Sequence, residues 1–156
     1  MTRINSAIPV ECLTDEHLLA EHREIKRLPY NLQQAIQSGS IKRIPEKFTL
    51  GKGHILFFLD KQEFITSRYL DIHNECKERK LNVQYYYFNW HNVSPEYFND
   101  YTPTDEERQL LIERITERIK NSPKKSWHYY GNEISKDEAI NLLDNKVYDN
   151  VQRRHL

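Results

Sequence analysis

A short segment at residues 21–27, EHREIKR, is the densest cluster of charged side chains in the sequence. Arg23 and Arg27 stand four residues apart, so on a helix their like charges would share a face and slightly destabilise it. Two explanations fit this pair: a solvated helix face with ordinary ion pairs, or an anion bound between the two guanidinium groups. Glu24 lies beside them as a carboxylate in a cationic field. This segment is therefore the first candidate for chemistry.

The start of the chain, Met1-Thr2-Arg3, is the second candidate. A small second residue permits removal of the initiator methionine, which leaves a free α-amine on Thr2. Such an amine has a pKa of about 7.7–8.0, against about 10.4 for lysine. Cationic neighbours such as arginine would lower the pKa of the amine further. An amine that is partly neutral at pH 7 is a better nucleophile than an ordinary lysine, although most proteins carry such an end without using it.

Composition limits the class of protein. The chain has 156 residues, 12% of them aromatic, which suits one folded domain and excludes a disordered chain. Its 23 Lys and Arg balance 23 Asp and Glu, which argues against a basic nucleic-acid coat protein but leaves room for a local basic patch. Two cysteines are too few for a disulfide framework. No ligand spacing indicates a metal site, so we expect none.

The sequence also predicts where the protein acts. No apolar run approaches the roughly 18 residues that would cross a bilayer. The first residues contain no hydrophobic segment typical of a secretory signal. We therefore expect a cytoplasmic protein that does not bind membranes.

Apolar spacing and capping residues predict mainly α structure. Thr14 caps a first helix, Pro29 interrupts or kinks it, and Gly39 ends it; its inward side chains are predicted to be Leu18, Leu19, Ile25, Leu28, Leu32, Ala35 and Ile36. Residues 54–59 (HILFFL) read equally as a strand or a buried helix. A long helix is expected over residues 60–80, with Asp60 at its start.

The second half of the chain follows the same logic. Residues 83–90 are aromatic and β-prone. Thr104 and Glu107 form a predicted capping box for a helix that runs to residue 120, with Leu110, Leu111, Ile115 and Ile119 inward. An aromatic loop containing Trp127, Tyr129 and Tyr130 follows, and a last helix is predicted at residues 135–145. The predicted fold is a mainly α, single compact helical domain with long aromatic loops.

Five stretches, in order along the chain, carry a family resemblance: TRIN at 2–5, HLLAEHREIKRLP at 17–29, LGKGHILFFLDKQEF at 50–64, NDYTPT at 99–104 and WHYYG at 127–131. In these stretches the chain resembles the pyrimidine-dimer DNA glycosylases. The resemblance covers about residues 2–131 and implies a compact helical enzyme that binds cis-syn cyclobutane pyrimidine dimers. Residues 1–131 are then the catalytic domain. Residues 132–156 are an extension, predicted as a helix packed on the same domain.

The resemblance also implies roles for individual residues. The α-amine of Thr2 would attack the sugar C1′, and the family's catalytic glutamate falls on Glu24. The implied reaction is base release followed by strand cleavage through an imine, a glycosylase with AP lyase activity that needs no cofactor. DNA-binding roles fall on Arg3, His17, Arg23, Arg27, Arg114, Arg118, Trp127 and Tyr129. The implied partner is double-stranded DNA with pyrimidine dimers or abasic sites, bound by a monomer.

Other interpretations stay open at this point. The chain could be an AP lyase or a glycosylase for another lesion, a non-catalytic DNA-binding module, or an interaction protein with solvated helix faces. Glu16 stands where the family often has Gln; a carboxylate there would repel phosphate or require a hydrogen-bond donor. Lys52 could add a phosphate contact, and the aromatic run at 85–90 could stack on bases or pack inside. His54 is interpreted as a buried, hydrogen-bonded structural residue.

Overall fold

The computed structural model describes residues 4–143. Its α-helices are α1 (Asp15–Ile25), α2 (Leu28–Ser38), α3 (His54–Phe58), α4 (Gln62–Glu78), α5 (Asp105–Asn121) and α6 (Lys136–Asn141). Strands β1 (Ser126–Tyr129) and β2 (Asn132–Ser135) form a hairpin between α5 and α6. Single 3-10 turns lie at Val10–Cys12, Ser40–Arg43, Tyr87–Trp90 and Pro95–Tyr97. The predicted mainly α fold is confirmed.

The first predicted helix is two helices. Thr14 caps α1 as expected, its hydroxyl accepting from the His17 amide at 3.1 Å. The predicted interruption is present, but it comes before Pro29: α1 already ends at Ile25, and Pro29 lies in the first turn of α2, where a missing amide hydrogen costs little. Gly39 ends α2 with φ +80°. Ile36, predicted to face inward, is exposed.

The apolar run at 54–59 forms a helix, α3, so the choice left open by periodicity is settled for helix. The long helix after it begins later than expected. Lys61 precedes the first turn of α4, and Asp60 caps nothing; its carboxylate instead pairs with the Lys61 ammonium at 2.9 Å. The side chains of Ile65, Tyr69 and Ile72 are fully buried on α4.

The β-prone expectation for residues 83–90 is wrong. These residues form an irregular stretch that ends in the 3-10 turn Tyr87–Trp90. No neighbouring strand is available there among residues 4–143, and the Tyr86 amide donates instead to the Tyr69 hydroxyl at 2.6 Å. β-Propensity reflects packing on a sheet, so without a partner strand it does not decide the local structure.

Helix α5 begins where Thr104 predicted, with the Thr104 hydroxyl accepting from the Glu107 amide at 3.1 Å. Only this half of the predicted capping box forms, because the Glu107 carboxylate accepts from Ser6 and Tyr101 instead. Leu111, Ile115 and Ile119 are buried as predicted. Leu110 is exposed, contrary to prediction.

The prediction of a loop at residues 127–130 is wrong, because Trp127 and Tyr129 lie in strand β1. The turn at Tyr130-Gly131 has φ +53° and +78°. Two consecutive positive φ values are typical of the tight turns that connect twisted antiparallel strands. Ser135 caps α6 with a complete capping box to Glu138, and α6 packs on α5 and on both strands.

The predicted boundary between the catalytic domain, residues 1–131, and the C-terminal extension falls in the turn between β1 and β2. Whether it separates two functional parts of the chain stays a prediction. Residues 144 and 145 of the predicted last helix lie outside the described residues. Within residues 4–143, no helix is both long enough and apolar enough to span a bilayer.

Candidate active site and DNA-binding surface

Residues 4–6 form hydrogen bonds with side chains of three different helices. The Ile4 amide donates to Nε2 of His54 on α3 at 3.1 Å, and Nδ2 of Asn5 donates to Oε1 of Glu21 on α1 at 3.0 Å. The Ser6 hydroxyl donates to the Glu107 carboxylate on α5. Ile4, Asn5 and Ser6 are all buried, so these bonds satisfy polar groups that water cannot reach. Residues 1–3 lie outside the described residues, and with them Thr2 and Arg3.

Glu21 also receives a buried ion pair. Arg68 of α4 donates to both of its carboxylate oxygens, from Nε at 2.8 Å and from Nη2 at 3.0 Å, and its Nη1 donates to the Ile8 carbonyl at 2.6 Å. Both side chains are almost completely buried. Removing one partner of such a pair leaves an uncompensated buried charge, which typically costs about 3–5 kcal/mol. The pair therefore holds α1, α4 and the N-terminal segment in one fixed arrangement.

Glu24 lies one turn further along α1, near its C-terminal end. Its side chain is 28% exposed and forms a 3.9 Å ion pair with Arg27, whose side chain is 60% exposed. The C-terminal end of a helix carries partial negative charge, which disfavours a carboxylate there. The neighbouring guanidinium offsets this effect. A half-buried carboxylate beside exposed arginines is therefore present where the sequence placed it.

The predicted geometry of the two arginines is wrong. Arg23 is an exposed residue in the last turn of α1, but Arg27 lies in the two-residue connection before α2, so the two are not stacked on one continuous helix. Both side chains remain open to solvent and to an anion.

His17 lies at the other end of α1, seven residues before Glu24, or about 10 Å along the helix axis. Its ring stacks on Trp127 of β1 with centroids 5.0 Å apart and planes 6° apart. Nδ1 of His17 lies 2.8 Å from the Thr14 hydroxyl. Burial lowers the pKa of His17 from 6.5 to about 4, with Arg118 and Lys124 also disfavouring the charged ring. His17 is therefore neutral at physiological pH.

One cation late in α5 lies near His17. Arg118 is close enough to act on the charge of His17, and Arg114 precedes it by one helical turn on the same face of α5. Lys124, beyond the end of α5, holds its ammonium 5.1 Å above the Trp127 ring. Arg118 and Lys124 therefore lie near the start of α1, together with the acidic residues of its first turn.

Glu16 finds the donors that its charge requires. Its carboxylate accepts from the backbone amide of His128 at 3.1 Å and lies 2.7 Å from Nδ1 of the same residue. The Lys124 ammonium lies 3.7 Å away. The carboxylate therefore ties the first turn of α1 to β1, and its charge is offset inside the protein.

The two aromatic residues predicted to contact DNA are engaged within the protein. Trp127 is 8% exposed, and its indole nitrogen has no hydrogen-bond partner among residues 4–143. The Tyr129 hydroxyl donates to the Glu11 carbonyl at 2.9 Å, and its ring faces the Arg79 guanidinium at 4.7 Å. Direct DNA contact by either residue stays a prediction.

A buried ionic network holds the hairpin against α1 and α4. The Asp15 carboxylate accepts from the amides of Tyr130 and Gly131 at 3.1 and 2.9 Å, and from Arg79 at 3.0 Å. Arg79 also pairs with Glu75 at 3.1 Å. Sequence reasoning missed this network. The signal that could have found the hairpin is Gly131 between two short runs of alternating polarity.

The aromatic run at 85–90 divides into two sets. Trp90 is buried and its indole donates to Gln62 at 2.9 Å, whereas Tyr85, Tyr87 and Phe88 are exposed, Phe88 by 74%. Nδ2 of Asn89 donates to the Lys26 carbonyl at 3.1 Å. This hydrogen bond places the turn Tyr87–Trp90 beside the connection that carries Arg27.

Two further histidines, His22 and His73, are buried and neutral. Nε2 of His22 lies 3.2 Å from Nδ1 of His73. Burial lowers the pKa of His22 to about 4, and His73 disfavours its charge further; burial also lowers the pKa of His73. Within residues 4–143, no group of three or more potential metal ligands comes together.

The chain matches a known protein family. The model of a family described as pyrimidine dimer DNA glycosylase matches residues 1–88, more than half of the chain. The matched range includes Thr2, Arg3, His17, Arg23, Glu24 and Arg27. It ends before the other predicted site residues, namely Arg114, Arg118, Trp127 and Tyr129.

Proposed function

The chain belongs to the family of pyrimidine dimer DNA glycosylases, and from this premise we propose that it releases the damaged base and then cuts the strand with the α-amine of Thr2 as nucleophile. The observation that carries the proposal is the buried hydrogen bond from Asn5 to Glu21 of α1, the helix that ends just after Glu24. Thr2 precedes Ile4 by two residues, a span of at most about 7 Å. A carboxylate and a chain start held by the same helix suit amine-based chemistry.

The first step forms a bond between the Thr2 nitrogen and the sugar C1′ while the C1′–N bond to the base breaks. The base takes the electron pair and is then protonated; in a cyclobutane dimer it stays joined to the neighbouring pyrimidine through the cyclobutane ring. The sugar ring opens as O4′ leaves C1′ and takes a proton, which gives an imine between C1′ and the Thr2 nitrogen. This is covalent catalysis by an amine.

The second step is elimination. The imine acidifies the C2′ proton; its loss forms a C2′–C3′ double bond and expels the 3′ phosphate with the C3′–O electrons. Water then hydrolyses the imine and restores the amine. Glu24 has two roles in this scheme: its charge stabilises the cation that develops at C1′, and it assists the proton transfers.

The cations would bind the DNA backbone on both sides of the reacting sugar. Arg23 and Arg27 lie at the Glu24 end of α1, and Arg118 lies near His17 at the other end, with Arg114 one turn earlier on α5; Arg3 would add a further contact. Because His17 is neutral, its contact with phosphate would be a single hydrogen bond rather than an ion pair. The contacts of Trp127 and Tyr129 inside the protein favour a supporting role for them.

The lesion itself would lower the cost of distorting the duplex. A pyrimidine dimer stacks and pairs poorly, so opening the helix there costs less than elsewhere. Phosphate contacts by the arginines would offset the remaining cost of bending. An abasic site, which already lacks its base, would enter the same scheme at imine formation, and the protein would act as a monomer.

The test uses a duplex with one cis-syn thymine dimer and a matched duplex with one abasic site, each incubated with and without borohydride. Borohydride reduces an imine to a stable amine, so we expect a covalent adduct on both duplexes that maps to Thr2. Mass spectrometry of the intact protein must first show that Met1 is absent. An adduct on the abasic duplex alone would indicate a lyase of other specificity. The absence of any adduct would indicate a DNA-binding module.

A further inference from the structure

The G-K-G-H sequence at residues 51–54 has no role in the proposed chemistry, yet it ends in a fully engaged buried histidine. His54 is 1% exposed and begins α3. Its Nε2 accepts from the Ile4 amide at 3.1 Å, and its Nδ1 lies 2.9 Å from the Thr49 carbonyl. An amide can only donate and a carbonyl can only accept. These partners therefore assign a neutral ring with its proton on Nδ1.

The loop before His54 fixes the direction of the ring. Gly51 and Gly53 have φ of +77° and +90°, and the His54 amide donates to the Gly51 carbonyl at 3.1 Å. A Cβ on Gly53 would be strained in that conformation and would lie 3.4 Å from Pro45. The ring also meets Phe48 and Phe58 edge to face, at 5.5 and 5.4 Å between centroids. Nε2 is thus aimed at Ile4 by contacts on several sides.

The Ile4 amide depends on this acceptor. Ile4 is completely buried, so its N–H needs a partner inside the protein. Burial lowers the pKa of His54, which keeps Nε2 unprotonated and able to accept. The other two attachments, at Asn5 and Ser6, lie further from Thr2 along the chain. Among the described residues, the bond at Ile4 is the attachment nearest the chain start.

We propose that His54 is a positioning residue for the α-amine of Thr2: its imidazole accepts from the Ile4 amide and so fixes the chain start relative to Glu24. This inference rests on the proposed function of Thr2. A misplacement of about 1 Å at a reacting group can cost about 100-fold in rate. Losing the acceptor should therefore slow chemistry while leaving the DNA-binding surface unchanged.

The experiment compares His54→Phe, which fills the site without an acceptor, with His54→Gln, whose amide oxygen can still accept from Ile4. Ile65→Val is the control, a conservative change in the buried face of α4. Each protein is mixed in excess with the abasic duplex, and the single-turnover rate at which the borohydride-trapped adduct forms is measured. The affinity of each protein for the same DNA is measured separately. Both measurements are made below the melting temperature of the least stable variant. Hydrogen exchange of the Ile4 amide is followed by NMR without DNA.

We expect His54→Phe to lower the trapping rate about 10- to 100-fold with DNA affinity within about twofold, and to speed Ile4 exchange. His54→Gln should recover most of the rate, and Ile65→Val should retain it. If the wild type forms the adduct and His54→Phe forms it at the same rate, the inference is wrong. It is also wrong if His54→Gln is as slow as His54→Phe, or if hydrogen exchange of the Ile4 amide is the same in His54→Phe as in the wild type. The absence of an adduct in the wild type would instead refute the proposed function of Thr2.

Discussion

Glu24 is a carboxylate in a position that helix electrostatics alone would disfavour. It lies in the last turn of α1, next to the negative end of the helix dipole, and depends on a neighbouring arginine. Helix stability therefore does not explain a carboxylate at this position.

We expect Glu24→Gln to retain binding to dimer-containing DNA and to lower cleavage by about 10²–10⁴-fold, the usual contribution of a positioned acid or base. Glutamine keeps the size of the side chain but loses its charge and its proton-accepting oxygen. The measurements are a binding titration and single-turnover cleavage. Glu63→Gln, the same change at an exposed position of α4, is the control and should behave as wild type. Unchanged cleavage in Glu24→Gln would remove Glu24 from the mechanism.

Arg27 offers a second test at the residue scale. Arg27→Gln should weaken DNA binding about equally for all sequences and reduce the slope of log affinity against log salt by about 1, the loss of one phosphate contact. Because its side chain is largely exposed, thermal stability should change little. The control is Arg43→Gln in the exposed turn Ser40–Arg43. Equal salt slopes for wild type and Arg27→Gln would argue against the phosphate contact.

At the scale of elements, capping residues predicted helix starts well and apolar spacing predicted their faces less well. Thr14 and Thr104 each cap the helix expected of them. Ile36 and Leu110 were predicted to be buried and are exposed. The spacing of apolar residues shows which side of a helix is apolar, but not how far the neighbouring elements cover that side. The prediction of β structure at residues 83–90 was wrong for a related reason, because a strand needs a partner strand that the local sequence does not reveal.

The β1–β2 hairpin depends on the backbone of Gly131. Gly131→Ala should destabilise the protein by about 1–2 kcal/mol, because φ of +78° is costly for a residue with a side chain. A Cβ there would meet no atom within 4 Å, so the cost is conformational and not a clash. Chemical denaturation measures the free energy of unfolding.

The control for this prediction is Asn132→Ala, an exposed β2 residue just after the turn, which should change stability much less. Equal stability of Gly131→Ala and wild type would contradict the positive φ. If the hairpin supports His17 through Trp127, Gly131→Ala should also weaken DNA binding.

At the scale of the whole molecule, four buried or half-buried histidines are held neutral. The pKa values of His17 and His22 fall from 6.5 to about 4, chiefly through burial, and those of His54 and His73 also fall. Between pH 6.5 and 4 the unfolded chain therefore binds more protons than the folded one. Their contribution to stability is present above pH 6.5 and is lost as the pH falls toward 4.

We accordingly expect the free energy of unfolding to decline steadily from pH 6.5 to 4. Denaturation curves across this range measure the decline, and NMR titration of the ring protons assigns it. His17 and His22 should titrate with midpoints near 4, well below the ordinary value. Midpoints near 6.5 for both rings would show that burial does not hold them neutral.

Sequence reasoning identified much of the proposed site because Glu24, Arg23 and Arg27 are close in the chain and their pattern is local. It did not find the Glu21–Arg68 pair or the Asp15–Arg79 network, whose partners are separated by 47 and 64 positions. It interpreted His54 correctly as buried and hydrogen-bonded, but the sequence did not reveal Ile4 as its partner. Contacts of this range become visible only when the helices are in place.

The fastening of residues 4–6 has a consequence for biosynthesis. Their partners lie 50, 16 and 101 positions later in the chain, the last at Glu107. A nascent polypeptide therefore cannot complete this attachment until most of the protein has left the ribosome. Removal of Met1, which the proposed role of Thr2 requires, could therefore take place on the nascent chain before residues 4–6 are attached. The order of synthesis would give time for this removal before folding fixes the residues that follow it.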